Sequence, residues 1–178
     1  MTPEPFAGNA GVDRVTEHVL SVLVENKAGV LSRVAGLFSR RGFNITSLTV
    51  APTGADDRFS RFTIVVDAES APIEQVVGQL NKLINVVDIR HLTREQSVER
   101  ELLLATVPLD ESNRGDILKL VAYAGAAVID FSATAVTISL ASAPVAIDQF
   151  EASLRELHAQ IEVQRTGRVA LPRLTPPA

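Results

Sequence analysis

The residues of this chain whose types and spacing could do binding chemistry are Asn26, Gly29 and Asn44. They bracket the stretch ENKAGVLSRVAGLFSRRGFNI, residues 25–45. Within it Val30, Leu31, Val34, Leu37 and Phe38 recur at helical spacing and predict one buried face. Arg40 and Arg41 stand where cations suit a helix C-terminus, and Gly42 where a glycine ends one. The predicted helix therefore opens just past Gly29. Amides near Gly29, Val30 and Leu31 would lack partners in the helix and attract a carboxylate. A glycine there lets a ligand approach the backbone, and an asparagine carbonyl can receive an ammonium. The chemistry on offer is recognition of a small zwitterion.

Asn44 lies beyond the far end of that helix, about 20 Å from Asn26 at a rise of 1.5 Å per residue. The two asparagines could converge on one ligand only across an interface between two copies of the chain. Val30, Leu31 and Ile45 are the candidate walls for its apolar end. Asparagine and glycine are equally ordinary in turns and caps, so spacing alone leaves a plain strand–helix–strand corner open.

The elements that must position these residues follow from periodicity. Residues 18–26 form a β-rich apolar run, 43–51 a second strand, and 58–68 a third, with Phe62, Ile64 and Val66 alternating against Arg61, Thr63 and Val65. Ser70 and Pro72 announce a helix whose buried face is Ile73, Val76, Val77, Leu80, Leu83 and Ile84, and 85–93 is a fourth strand. The order is β-α-β-β-α-β, the ferredoxin-like plan. It then recurs. A strand over 100–109 precedes a helix capped by Ser112 or Asn113, with Ile117, Leu118, Val121 and Ala122 inward. Two strands follow, the second alternating at Val136, Ile138 and Leu140. Pro144 opens a helix with Ile147, Phe150, Leu154 and Leu157 inward, and 160–171 is an interrupted last strand.

The expected organisation is therefore α+β. A flexible N-terminal tail covers 1–17, a first ferredoxin-like unit 18–93, a linker 94–99, a second unit 100–172 and a tail 173–178. A four-stranded sheet with one uncovered face and two free edges is a liability in water, so pairing with another copy is expected.

Composition removes several function classes. The 178 residues are 46% hydrophobic and carry a net charge of −4, which argues against a general nucleic-acid binder. Aromatics are 4%, too few for base-stacking platforms. The chain has no cysteine, and its three histidines, His18, His91 and His158, show no metal-type spacing. No apolar run is long enough to span a membrane and no signal peptide is legible, so a cytoplasmic location is expected. Neither a G-x-S-x-G, a P-loop nor a G-x-G-x-x-G occurs, so no catalytic residue is assigned.

The segment LSVLVENKAGVLSRVAGLFSRRGFNITSLTVAPT, followed by QLNKLINVVDI and VERELLL, resembles the regulatory small subunit of acetohydroxyacid synthase, also called acetolactate synthase. The likeness covers about residues 18–172 and is more specific in the first half. It implies that the first unit is an ACT domain, a module that binds amino acids at domain interfaces, paired with a second copy. It also implies a non-catalytic chain that activates a separate catalytic subunit and confers feedback inhibition by branched-chain amino acids, usually valine. Thiamine diphosphate, magnesium and FAD would belong to that partner, and this chain would hold no cofactor. Asn26 and Gly29 match residues on one side of the family's effector pocket, and Asn44 a residue on the other. A stand-alone ACT-type sensor acting on another enzyme or regulator is the alternative reading.

Overall fold

In the computed structural model, residues 17–67, 72–93 and 95–174 are described. Ser70, most of the N-terminal tail and the last four residues lie outside them.

The first unit comprises β1 (Glu17–Glu25), α1 (Val30–Arg41), β2 (Ile45–Thr53), β3 (Phe59–Asp67), α2 (Ile73–Leu80) and β4 (Val86–Leu92). Its antiparallel sheet has the order β2-β3-β1-β4, which leaves β2 at an edge. Both helices cover one face. Val30, Val34, Leu37 and Phe38 of α1 join Ile73, Val76 and Leu80 of α2 over Leu20, Val22, Val24, Phe62, Ile64 and Val66. Each such side chain contributes roughly 1.5–3 kcal/mol by leaving water. The α1 C-terminus closes as its sequence predicts. Gly42 adopts φ 72°, and the Phe43 amide reaches back to the Phe38 carbonyl at 3.1 Å.

The second unit comprises β5 (Ser97–Pro108), α3 (Arg114–Ala124), β6 (Ala127–Phe131), β7 (Ala135–Ser142), α4 (Pro144–Leu157), β8 (Glu162–Arg165) and β9 (Val169–Pro172). Strand order is β6-β7-β5-β8, with β9 also on β5. Val136, Ile138 and Leu140 are buried as their alternation predicts, beneath Ile147, Phe150 and Leu154 of α4.

Several expectations need correction. The interrupted last strand is two strands, both paired with β5: β8 with Leu103–Thr106 and β9 with Ser97–Arg100. Gly167, at φ +79°, turns the corner between them. Strand β5 begins at Ser97, inside the stretch read as linker, because β9 extends its pairing backwards. Glu17 is likewise the first residue of β1, not tail.

The second face of the first sheet is not left bare by its own chain. Val19, Val65 and Leu92 are buried there beneath Ala170 of β9. Hence Val65, expected on the polar side of β3, is fully buried. Ile84 is 90% exposed because α2 stops at Leu80 and the chain turns before β4. Leu118 is 39% exposed and Ala122 is exposed too; Leu120 and Ala124 pack inward instead. Neither Ser112 nor Asn113 caps α3 with its side chain. Asp110 instead accepts from the Ser112 and Asn113 amides, at 2.8 and 3.0 Å. The Ser112 hydroxyl bond comes first, and those amides after it, in holding the Asp110 carboxyl below the usual range.

Candidate functional site

Strand β1 runs straight into the mouth of α1. Asn26 is held from the side by the loop before β3: its amide donates to the Arg58 carbonyl and its Nδ2 to the Asp57 carbonyl, both at 2.8 Å. That bond fixes the side-chain amide, whose carbonyl oxygen is the atom that can accept from a ligand ammonium. Gly29 caps the helix in the left-handed region, φ 83°, and among the described residues no side chain caps the first turn. A Cβ at Gly29 would meet nothing within 4 Å, so the backbone there is open to approach. Leu31 is 46% exposed beside it. The sequence pattern assigned Leu31 to the buried face, but the stripe 30, 34, 37, 38 leaves it at the margin. That exposure makes it available to a ligand.

Val30 behaves differently. Its side chain is 4% exposed inside the core, and its amide already donates to the Lys27 carbonyl at 3.3 Å. Neither the amide nor the side chain of Val30 is free for a ligand, contrary to the role expected for it.

Electrostatics at the mouth favour an anion. The first turn carries no acidic residue. The nearby Glu25 is engaged: Lys27 Nζ lies 2.9 Å and Asn85 Nδ2 2.6 Å from its carboxylate. Those two bonds, Lys27 first, hold the Glu25 carboxyl below its ordinary value of 4.5.

Asn44 and Ile45 stand beyond the other end of α1, whose twelve residues span about 18 Å. The Asn44 carbonyl accepts from the Asp67 amide at 3.2 Å, while the residue itself is exposed. Ile45 is half-buried and packs partly on the core. A single chain thus separates Asn26, Gly29 and Leu31 from Asn44 and Ile45.

A second constellation escaped the sequence reading. His18 and His91 lie 73 positions apart, yet the pairing of β1 with β4 brings their ring nitrogens to 3.1 Å. The rings meet edge to face, 4.9 Å between centroids. They line a cleft of about 620 Å³ between the units, together with Glu17, Glu95, Arg100 and Arg168. Only knowledge of the strand register could have found the pair. Burial, then the His18 charge, lower the His91 pKa below 6.5, with Glu74 opposing. The native state therefore resists protonation. The sign follows: stability is full above pH 6.5 and is lost as pH falls through the lower folded value. Thermal unfolding between pH 7 and pH 5 should show this decline, and His91→Asn should flatten it; an equally steep decline in the variant would refute the assignment.

Two family models divide the chain between them. One, described as AHAS small subunit-like ACT domain, matches residues 20–88; the other, described as small subunit of acetolactate synthase, matches residues 100–174. The chain belongs to the acetolactate synthase small-subunit family. The small subunit of Mycolicibacterium smegmatis is 47% identical over 158 residues, 88% of this chain and 91% of that protein. A probable small subunit of Archaeoglobus fulgidus is 45% identical over 88% of this chain and 97% of its own length. The crystal structure of the small subunit from Thermotoga maritima superposes with a TM-score of 0.82 at 36% identity, covering 90% of this chain and 99% of that one. The first unit of this family member is an ACT domain, as the resemblance implied, and both units follow the ferredoxin-like plan. Among the described residues no three His, Cys, Asp or Glu side chains gather as a metal site, and no helix is long and apolar enough to cross a membrane.

Proposed function

We propose that this chain is the regulatory subunit of acetolactate synthase. It activates a thiamine-diphosphate-dependent catalytic subunit and confers feedback inhibition by valine or a related branched-chain amino acid. The condensing chemistry, with its thiamine diphosphate, magnesium and FAD, belongs to the partner. The observation that carries the reading is the separation of an open helix mouth at Asn26, Gly29 and Leu31 from an exposed Asn44 and half-buried Ile45 at the helix's far end.

Two copies joined by the free edge of β2 would complete the pocket. A twofold axis sets the two α1 helices antiparallel, so the mouth of one lies beside the end of the other. The ligand carboxylate then meets the free amides of one α1 and its ammonium the Asn26 carbonyl. Asn44 of the second copy supplies a further polar contact. The isopropyl group rests on Leu31 and Ile45. A feedback effector at metabolite concentrations needs a Kd of roughly 10 μM to 1 mM, about −4 to −7 kcal/mol. Coupling to the catalytic state needs about 1–3 kcal/mol more. Such a pocket is sufficient for both.

The test is reconstitution with the cognate catalytic subunit, assayed with and without valine, leucine and isoleucine. A raised rate that one of the three amino acids suppresses supports the reading. A catalytic subunit whose rate and valine response are unchanged by this chain would instead favour a stand-alone sensor. Asn44→Ala should weaken valine binding by about 1–3 kcal/mol through one unmade polar contact. Since Asn44 is exposed, the fold should survive, and calorimetry should read the loss directly. Wild-type affinity in that variant would remove Asn44 from the pocket.

A further inference from the structure

We propose that Asn85 and Arg33 are positioning residues of the effector loop, joined in one relay that fixes the mouth of α1; the inference rests on the effector reading above. Asn85 ends the turn between α2 and β4 and is 7% exposed, one of few buried polar residues among those described in its unit. A buried amide must find partners for both its ends. Asn85 finds them in the mouth. Its Nδ2 donates to the Glu25 carboxylate at 2.6 Å, and its Oδ1 accepts from an Arg33 guanidinium nitrogen, also at 2.6 Å. Its main-chain carbonyl accepts from the Glu25 amide at 2.9 Å.

The two partners flank the proposed binding atoms. Glu25 immediately precedes Asn26, and Arg33 lies one helical turn past Gly29, its amide bonded to the Gly29 carbonyl at 3.1 Å. A helical side chain leans towards the N-terminus, which brings the Arg33 guanidinium back over the first turn. The mouth is thus gripped on one side by Asp57 and Arg58, through Asn26, and on the other by Asn85, through Glu25 and Arg33. Among the described residues no side chain caps α1, so these bonds hold the loop in place of a cap. A loop already held in its binding geometry need not be ordered by the ligand, and that shows as affinity. The relay also fixes charge. Glu25 is occupied by Asn85 and Lys27, so its carboxylate is turned to its own partners and not to the ligand anion.

The relay is tested by calorimetric titration of L-valine into the wild-type chain, Arg33→Ala, Asn85→Ala, the double variant and Arg33→Gln, with thermal midpoints for each. Each single alanine variant should raise Kd about tenfold. Because both residues act through the same bond, the double variant should be no worse than the weaker single by more than about threefold. Arg33→Gln keeps a donor for Asn85 and should recover most of the affinity. Arg33 is exposed and its loss breaks one of the Asn85 side-chain bonds where Asn85→Ala breaks both, so Arg33→Ala should melt above Asn85→Ala while binding as poorly; a purely structural role would make binding follow the melting order. Unchanged Kd in Arg33→Ala, or effects that multiply in the double variant, would overturn the relay. A wild-type chain that takes up none of valine, leucine and isoleucine would overturn the effector reading and the relay together.

Discussion

Gly29→Asp should abolish the response to valine without unfolding the chain. The geometry separates the two effects. A side chain at Gly29 meets open space, with nothing within 4 Å of a Cβ. The backbone there is left-handed at φ 83°, a conformation aspartate tolerates for about 1 kcal/mol. A carboxylate at a helix N-terminus returns about 0.3–1 kcal/mol. Net stability is therefore nearly unchanged, and a thermal midpoint close to wild type is expected. Binding is another matter. The new carboxylate occupies the amides that the ligand carboxylate needs, and it repels that carboxylate in a partly dehydrated site. A loss of at least about 3 kcal/mol, a hundredfold or more in Kd, should follow. Gly29→Ala carries a backbone penalty of about 1–2 kcal/mol without the charge and should retain most of the binding. Calorimetry on both variants, with inhibition of each reconstituted pair measured against its own uninhibited rate, checks the prediction. Inhibition of the aspartate variant at wild-type valine concentrations would place the pocket elsewhere.

The second large effect lies at the seam between the units. Gly167→Ala should destabilise the protein by about 2–4 kcal/mol and loosen one unit from the other. At Gly167 φ is +79°, and a Cβ would stand 2.7 Å from Ser47 Oγ and 2.9 Å from Thr49 Oγ1. Those hydroxyls cannot simply retreat. Ser47 Oγ accepts from the Arg168 amide at 3.1 Å, and Thr49 Oγ1 donates to the Thr166 carbonyl at 3.2 Å. The corner also presents Arg168, whose guanidinium lies 2.6 Å from the Glu17 carboxylate and 3.8 Å from that of Glu99. The Arg168 side chain is only 13% exposed, so a displaced corner would leave largely buried charge unpaired. Scanning calorimetry should show a lower midpoint, with the joint transition splitting in two. Gly78→Ala, inside α2 with no contact within 4 Å, should by contrast stabilise by about 0.5–1 kcal/mol. A Gly167→Ala variant that melts as the wild type does would show that the seam carries little of the stability.

Much of this was legible in the sequence because the cores are periodic. The stripe Val30, Val34, Leu37, Phe38 and the alternation Val136, Ile138, Leu140 specify their elements without tertiary help, and Gly42 ends α1 by conformation alone. The misjudged residues share a cause: periodicity fixes a direction but not where an element stops or what lies across from it. Ile84 continues the α2 stripe on paper, yet the helix has already ended at Leu80. Val65 looks solvent-facing until β9 is laid over it. The β5–β9 pairing joins residues about 70 positions apart, and neither strand is distinctive by itself. At the candidate site the polar types and the glycine were legible. The private engagement of Val30, the exposure of Leu31 and the bonds of Asn85 were not, since each depends on neighbours supplied by other elements.

The claim that one ligand is held by two chains can be measured directly by mixing Gly29→Asp chains with Asn44→Ala chains and titrating the mixture with valine. Each variant alone damages every site. In a mixed dimer with shared pockets, one pocket takes both lesions and the other takes none. About one site in four should then bind with wild-type affinity. A mixture that binds no better than its two parents would contradict the account, because Gly29 and Asn44 would then have to serve the ligand from within a single chain or not at all.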